Sequence, residues 1–112
     1  MPDQPSPAQQ LIGDFAPKLV QLTDDVLFGD VWERPGLSDE VRSLVMLGMM
    51  AASNKSAEFR VHAKGALANG CTAAQVQDVL LLVAMYCGVP AAIEPVRIAA
   101  DIFGEADPAT KP

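Results

Sequence analysis

The chain is short of most of the residues that announce a particular chemistry. It has 112 residues with only two cysteines, Cys71 and Cys87, and a single histidine, His62. The cysteines are not a Cys-x-x-Cys pair, and one imidazole is too few for an ordinary zinc site, so no metal is expected. Cys71 and Cys87 read as reduced thiols filling small gaps in a core. Lys and Arg together number 8 against 14 Asp and Glu, a net charge of -6 without a basic cluster. That balance argues against a nucleic-acid surface. No apolar run is long enough for a bilayer, and the amino terminus is polar and proline-rich, so neither a membrane nor a secretory route is expected. A cytoplasmic protein is the expectation. Aromatic residues are only 5% of a chain that is 50% hydrophobic. The core must therefore be aliphatic, which suits packed helices better than a sheet.

What is present has helical punctuation. Residues 1–7 and 105–112 are rich in Pro, Asp, Ala and Lys and are expected to be disordered tails around one domain at 8–104. A helical stretch runs from about Pro7 to Gly29, interrupted by Pro17, which suits the first turn of a new helix. A helix ending at Trp32 leaves Glu33 and Arg34 on a loop before the Pro35-Gly36 turn. Ser38 is an expected N-cap, with Asp39 and Glu40 in the first turn of a helix. That helix carries Val41, Leu44, Val45, Gly48, Met49 and Ala52 on a 3.6-residue period. Ser56 is expected to cap the next helix, which bears Phe59, His62, Ala63, Ala66 and Leu67 and ends at Asn69-Gly70. Thr72-Ala73-Ala74-Gln75 reads as a capping box. The helix it opens is apolar almost all round from Val79 to Cys87, and a small chain cannot bury every side of it, so subunits are expected to pack there. Pro90 suits the start of a final helix reaching about Phe103, with Pro95 either kinking it or lying near its start. The methionines, Met46, Met49, Met50 and Met85 among them, read as core filling.

Four segments carry the chemistry. They are Trp32-Glu33-Arg34-Pro35-Gly36-Leu37; Arg42-Ser43-Leu44; His62 followed by Ala66-Leu67 and Asn69-Gly70; and Tyr86-Cys87-Gly88-Val89-Pro90-Ala91-Ala92. In this order and at these spacings the set resembles the γ-carboxymuconolactone decarboxylase family, within the alkylhydroperoxidase D-like superfamily, from about Pro17 to Phe103. The resemblance implies an all-α helical bundle assembled as a trimer or hexamer. It also implies a cofactor-free lyase acting on a small carboxylated unsaturated lactone or a related cyclic or keto acid. The redox members of the superfamily use Cys-x-x-Cys-x-x-x-His on the same helix. Laid on His62, that pattern asks for cysteines where Lys55 and Glu58 stand, so dithiol peroxidase chemistry is not expected. A non-catalytic small-molecule-binding bundle is the remaining alternative.

Within that frame His62 is the candidate acid or oxyanion donor. Glu58, one helical turn earlier, can orient the imidazole and is expected to raise its pKa. Glu33 is the alternative proton carrier. Arg34 and Arg42 offer guanidinium forks for the substrate's carboxylates, although each could equally pair with a neighbouring acid such as Glu33 or Asp39. Trp32 and Tyr86 could wall a small apolar pocket. One departure stands out. Relatives acting on γ-carboxymuconolactone tend to follow Pro-Ala-Ala with Asn and a further polar residue, whereas Ile93-Glu94-Pro95 follow here. A carboxylate at Glu94 would repel a dianionic substrate if it faced the pocket.

Overall fold

A computed structural model describes residues 4–106; positions 1–3 and 107–112, which hold most of the expected tails, lie outside it. Among the described residues the regular structure is entirely helical. The chain divides into two compact units, one up to Leu37 and one from Ser38 onward.

The first unit holds α1 (Pro7–Ile12), α2 (Pro17–Leu22), a π-helical turn (Thr23–Phe28) and a 3₁₀ turn (Val31–Glu33). Proline opens both α1 and α2, where its missing N–H costs nothing. Ser6 caps α1, its hydroxyl accepting from the Gln9 N–H. The backbone N–H of Ala8 donates to Asp24 Oδ1 at 3.2 Å, which ties α1 to the π-helical turn. Gly29 closes that turn because only a residue without Cβ fits. A Cβ there would lie 2.7 Å from the Asp25 carbonyl oxygen and 2.9 Å from that of Asp24. The 3₁₀ turn takes in Glu33, so only Arg34 of that pair begins the extended segment.

The second unit is built from α3 (Asp39–Ala52), α4 (Ser56–Ala68), α5 (Ala73–Cys87) and α6 (Val89–Ala106). Helix α3 packs on α4, α5 and α6, while α6 also packs on α4 and α5. Leu47, Ala51, Phe59, Ala63, Ala66, Val76, Leu80, Val83, Ile98 and Phe103 form the shared core. The small side chains of Ala51, Ala63 and Ala66 leave room that aliphatic and aromatic side chains of the facing helices fill. Ser38 caps α3 through its hydroxyl, which accepts from the Val41 N–H. Thr72 and Gln75 close the capping box of α5, with both reciprocal bonds present. At the end of α4 Gly70 adopts φ +91°. It donates to the Leu67 carbonyl while the Cys71 N–H reaches back to the Ala66 carbonyl at 3.0 Å, the paired pattern of a Schellman cap.

Two expectations change, those for Ser56 and for Met49, Met85 and Cys87, while Pro95 and α5 take places the sequence left open or anticipated. Ser56 is the first residue of α4 rather than its cap; Lys55 holds the cap position without a side-chain bond, its carbonyl accepting from the Phe59 N–H. Pro95 lies inside α6, where it is buried, and the helix runs on to Ala106. Met49 and Met85 are exposed rather than core residues, and so is Cys87. Helix α5 buries Ala73, Val76, Leu80 and Val83 within the chain but leaves Leu81, Leu82, Met85 and Tyr86 exposed. No helix among the described residues is long and apolar enough to cross a membrane.

Candidate functional site

Helix α4 carries its chemistry beside its packing face. Phe59, Ala63 and Ala66 are buried, and His62 stands between them at half-burial. Glu58 is exposed one turn before it. The expected upward shift of the histidine does not result. Burial lowers the His62 pKa below its ordinary 6.5 and outweighs the opposing field of Glu58. The imidazole is therefore neutral at pH 7, a hydrogen-bond donor through one nitrogen and an acceptor through the other.

Arg42 projects from the first turn of α3 with its side chain only 11% exposed. Its guanidinium lies 3.6 Å from Asp39 Oδ1. A largely buried guanidinium is a fixed planar fork, the geometry that matches a carboxylate.

The same end of the unit contains polar joints that sequence reading did not pick out. Asn69 Nδ2 donates to Ser43 Oγ at 2.9 Å, and Ser43 is the one buried polar residue among the described residues. Gln75 Nε2 donates to Glu40 Oε1 at 2.9 Å, while Cys71 Sγ donates to the Glu40 carbonyl at 3.4 Å. These bonds lock the ends of α4 and α5 onto the turn of α3 that carries Arg42. The signal available in sequence was Asn69, whose amide is more than a turn-former. Burial and the Glu40 carboxylate raise the Cys71 pKa, so its sulfur is held as the unreactive thiol.

In the first unit Trp32 is half-buried, whereas Glu33 and Arg34 are exposed. Arg34 pairs with Asp30 at 3.5 Å rather than with the adjacent Glu33. The i,i+4 spacing brings Asp30 to it, while a neighbouring side chain points away.

Tyr86 is 86% exposed at the end of α5, so within its own chain it walls no pocket. Glu94, the departure noted above, is exposed and lies 3.9 Å from Arg97 on the next turn of α6. That partner offsets part of its charge. Two apolar depressions flank α5. One, of about 600 Å³, lies between α5 and α6 and includes Leu81, Val89, Ile93 and Arg97. The other, of about 290 Å³, lies between α3 and α5 and includes Val41, Val45, Gly48 and Leu82. His62 and Arg42 line neither. No group of three potential metal ligands occurs among the described residues.

Comparison with known proteins places this arrangement. Residues 17–101 match the model of the carboxymuconolactone decarboxylase family. The chain is 36% identical over 88 residues to nitrosuccinic acid decarboxylase npaB of Metarhizium robertsii, covering 79% of this chain and 54% of that protein. It is 29% identical over 92 residues to 4-carboxymuconolactone decarboxylase of Acinetobacter baylyi, covering 82% of this chain and 69% of the relative. An uncharacterised 15.0 kDa protein of Paracoccus denitrificans is 28% identical over 85 residues, covering 74% of this chain and 63% of its own length. The chain thus spans about half the length of the fungal relative and about two thirds of the other two. With the match extending over most of its length, the chain belongs to the carboxymuconolactone decarboxylase family.

Proposed function

We propose that this protein is a cofactor-free carboxy-lyase for a small acid whose departing carboxylate sits on a carbon from which the bond's electron pair can flow into an electron-accepting group. The observation that carries the reading is the pairing of family membership with a lone, half-buried, neutral imidazole on α4. The two named relatives decarboxylate different acids, a carboxylated lactone and a nitro acid. Their chemistry has a common core. The C–C bond to the carboxylate breaks, its electron pair moves into a carbonyl or nitro group, and CO2 leaves. The resulting enolate or nitronate then takes a proton at carbon.

Such a reaction needs a holder for carboxylate, a donor for the developing oxyanion and a proton source. Arg42 fits the first role, with Arg34 as the second guanidinium. His62 fits the second, since a neutral imidazole N–H stabilises an oxyanion without first surrendering a proton. Glu33 is the proposed general acid that protonates carbon, and Glu58 is proposed to orient the imidazole. Trp32 and Tyr86 are proposed as apolar walls. The protein is further proposed to work in the cytoplasm as a homo-oligomer, a trimer or hexamer, with residues 8–104 as the domain that carries the reaction. The exact acid, whether the lactone, a nitro acid or another conjugated acid, is what the assay must select.

CO2 release from 4-carboxymuconolactone and from nitrosuccinate, each offered to the purified protein, tests the reading. His62→Asn should lower kcat by about 10²- to 10³-fold, as loss of an oxyanion donor does. Arg42→Gln should act mainly by raising KM. No release from either acid or from a panel of conjugated keto acids would favour the non-catalytic binder. Unchanged rates in both His62→Asn and Glu33→Gln would remove the residue assignment. Rapid consumption of a hydroperoxide with a dithiol reductant would instead restore the redox reading.

A further inference from the structure

Arg42 stands on the part of α3 that holds its shape least well. Its own N–H makes the first bond of the helical ladder, to the Ser38 carbonyl at 2.9 Å. The opening turn of a helix frays because its earlier N–H groups have no partner within the helix. A guanidinium carried there keeps one position only if something outside the helix fixes the backbone beneath it. The joint between α4 and α5 supplies three such bonds. Gln75 Nε2 donates to Glu40 Oε1, Cys71 Sγ donates to the Glu40 carbonyl, and Asn69 Nδ2 donates to Ser43 Oγ. Glu40 and Ser43 bracket Arg42, so its turn is gripped on both sides while the guanidinium takes no part in the grip. We propose that Asn69 and Gln75 are positioning residues for Arg42, and that their hold on the first turn of α3 sets the affinity for the carboxylate this arginine binds.

Two features show that these bonds exceed what the helices themselves need. The buried stripe of α3 is Ser43, Leu47 and Ala51. A hydroxyl in that stripe adds a polar group to be satisfied, and burial without a partner is costly. Its partner, Asn69, lies 26 residues away at the end of α4. Gln75 shows the same surplus. Its Oε1 accepts from the Thr72 N–H and so completes the cap of α5, whereas its Nε2 is spent on Glu40. The side chain of Arg42 is only 11% exposed, so most of its freedom is already lost in the folded chain. A group ordered in advance binds without that cost at the moment of association.

This role rests on the reading of Arg42 as the carboxylate holder. Binding, not turnover, is therefore the first readout. Succinate is the probe: it offers two carboxylates and no acceptor for a departing electron pair. Its affinity is measured by titration calorimetry on the full chain, with far-UV circular dichroism as the check that each variant folds. Arg42→Gln should weaken succinate roughly 10- to 100-fold, as loss of a charge-assisted bond does. Asn69→Ala and Gln75→Ala should each weaken it about 3- to 10-fold, the equivalent of one ordinary hydrogen bond. Asn69 has φ -84° and ψ 7°, a conformation alanine also adopts. Added to Arg42→Gln, either substitution should change the affinity no further, because the hold acts only through that side chain. Thr72→Ala disturbs the same cap but spares the Glu40 bond, and should bind succinate as the native protein does. With an acid that is turned over, Asn69→Ala should raise KM and keep kcat. Native affinity in Asn69→Ala and Gln75→Ala would overturn the proposal. So would an equal loss in Thr72→Ala, or a full further loss on the Arg42→Gln background. A native protein that binds no succinate, or an Arg42→Gln variant that binds it normally, would overturn it together with the role of Arg42. The expected binding pattern without CO2 release from any acid would uphold it while the carboxy-lyase reading falls.

Discussion

Phe59 offers the most direct test of how packing holds the candidate site. Its ring is fully buried at the centre of the second unit's core, three residues before His62 on the same helix. A phenylalanine side chain buries on the order of 150–250 Å², and at about 25 cal/mol per Å² that is roughly 4–6 kcal/mol of transfer free energy. Alanine recovers a small part of this, but the cavity left behind adds a cost, so Phe59→Ala should destabilise by about 3–5 kcal/mol. For a chain of this size each kcal/mol corresponds to about 4–6 °C, so Tm should fall by roughly 12–30 °C at a fixed protein concentration. Phe59→Leu keeps most of the volume and should cost about 1–1.5 kcal/mol. Thermal unfolding followed by circular dichroism reads both. Phe59→Leu should lose some kcat at temperatures where it remains folded, because α4 sets the imidazole's position. A drop below about 4 °C for Phe59→Ala would show that the ring is not the keystone its burial indicates.

Three further outcomes follow from specific contacts. Thr72→Ala removes one arm of the α5 capping box and should cost about 1 kcal/mol; Gln75→Ala removes the other arm and the Glu40 bond, so the double variant should cost less than the two together, measured by urea unfolding. His62 makes its stability contribution in its neutral form. Its folded pKa lies below the ordinary 6.5, so that contribution is complete above about pH 6.5 and is lost as pH falls through the lower folded value. The acid limb of kcat should likewise lie below pH 6.5, and Glu58→Gln should move it lower still, since the carboxylate is what partly opposes the shift; a limb above 6.5 would refute the neutral-imidazole assignment.

Much of the frame was legible because it is written in local chemistry. Ser38, Thr72 and Gly70 act within a few residues of themselves, and each does what its side chain, or lack of one, dictates. Ser56 misled because the cap position depends on where the preceding turn ends. Asn54 takes a left-handed φ of 60° and the Lys55 N–H bonds back to the Met50 carbonyl, which places Lys55 one residue ahead of the serine. The apolar residues of α5 showed correctly that the helix is unusual. Residue type, however, could not say that Met85, Tyr86 and Cys87 lie outside the chain's own core, because that depends on helix neighbours far away in sequence. The histidine shows the same limit. Glu58 is visible four positions away, so its raising influence was easy to infer. The burial that overrides it arises from tertiary packing, which no spacing rule contains. Arg34's choice of Asp30 over Glu33 was within reach of the i,i+4 rule, given a turn through Val31–Glu33.

On the proposed reading, a neutral His62 suits an acid whose negative charge appears on an acceptor oxygen, whether that oxygen belongs to a carbonyl or a nitro group. In a decarboxylation the difficult charge is the one that appears on the acceptor oxygen as the C–C bond breaks. A cationic imidazolium would bind the substrate's carboxylates strongly before reaction, and that attraction weakens as one of them leaves as uncharged CO2. Such a group stabilises the ground state at least as much as the transition state and gains little rate. A neutral N–H interacts weakly with the uncharged carbonyl or nitro oxygen of the substrate and strongly with the oxyanion it becomes. Its stabilisation therefore grows along the reaction coordinate. On this reading the permanent positive charge falls to the guanidiniums, proposed to hold a carboxylate that stays, and the neutral donor is proposed for the oxygen that changes. It requires only an acceptor oxygen within reach of the imidazole, so specificity among acids must come from the walls and the spacing of the guanidiniums. Substitutions at Trp32 or Tyr86 should therefore change the ranking of substrates, whereas substitution at His62 should depress them all by a similar factor.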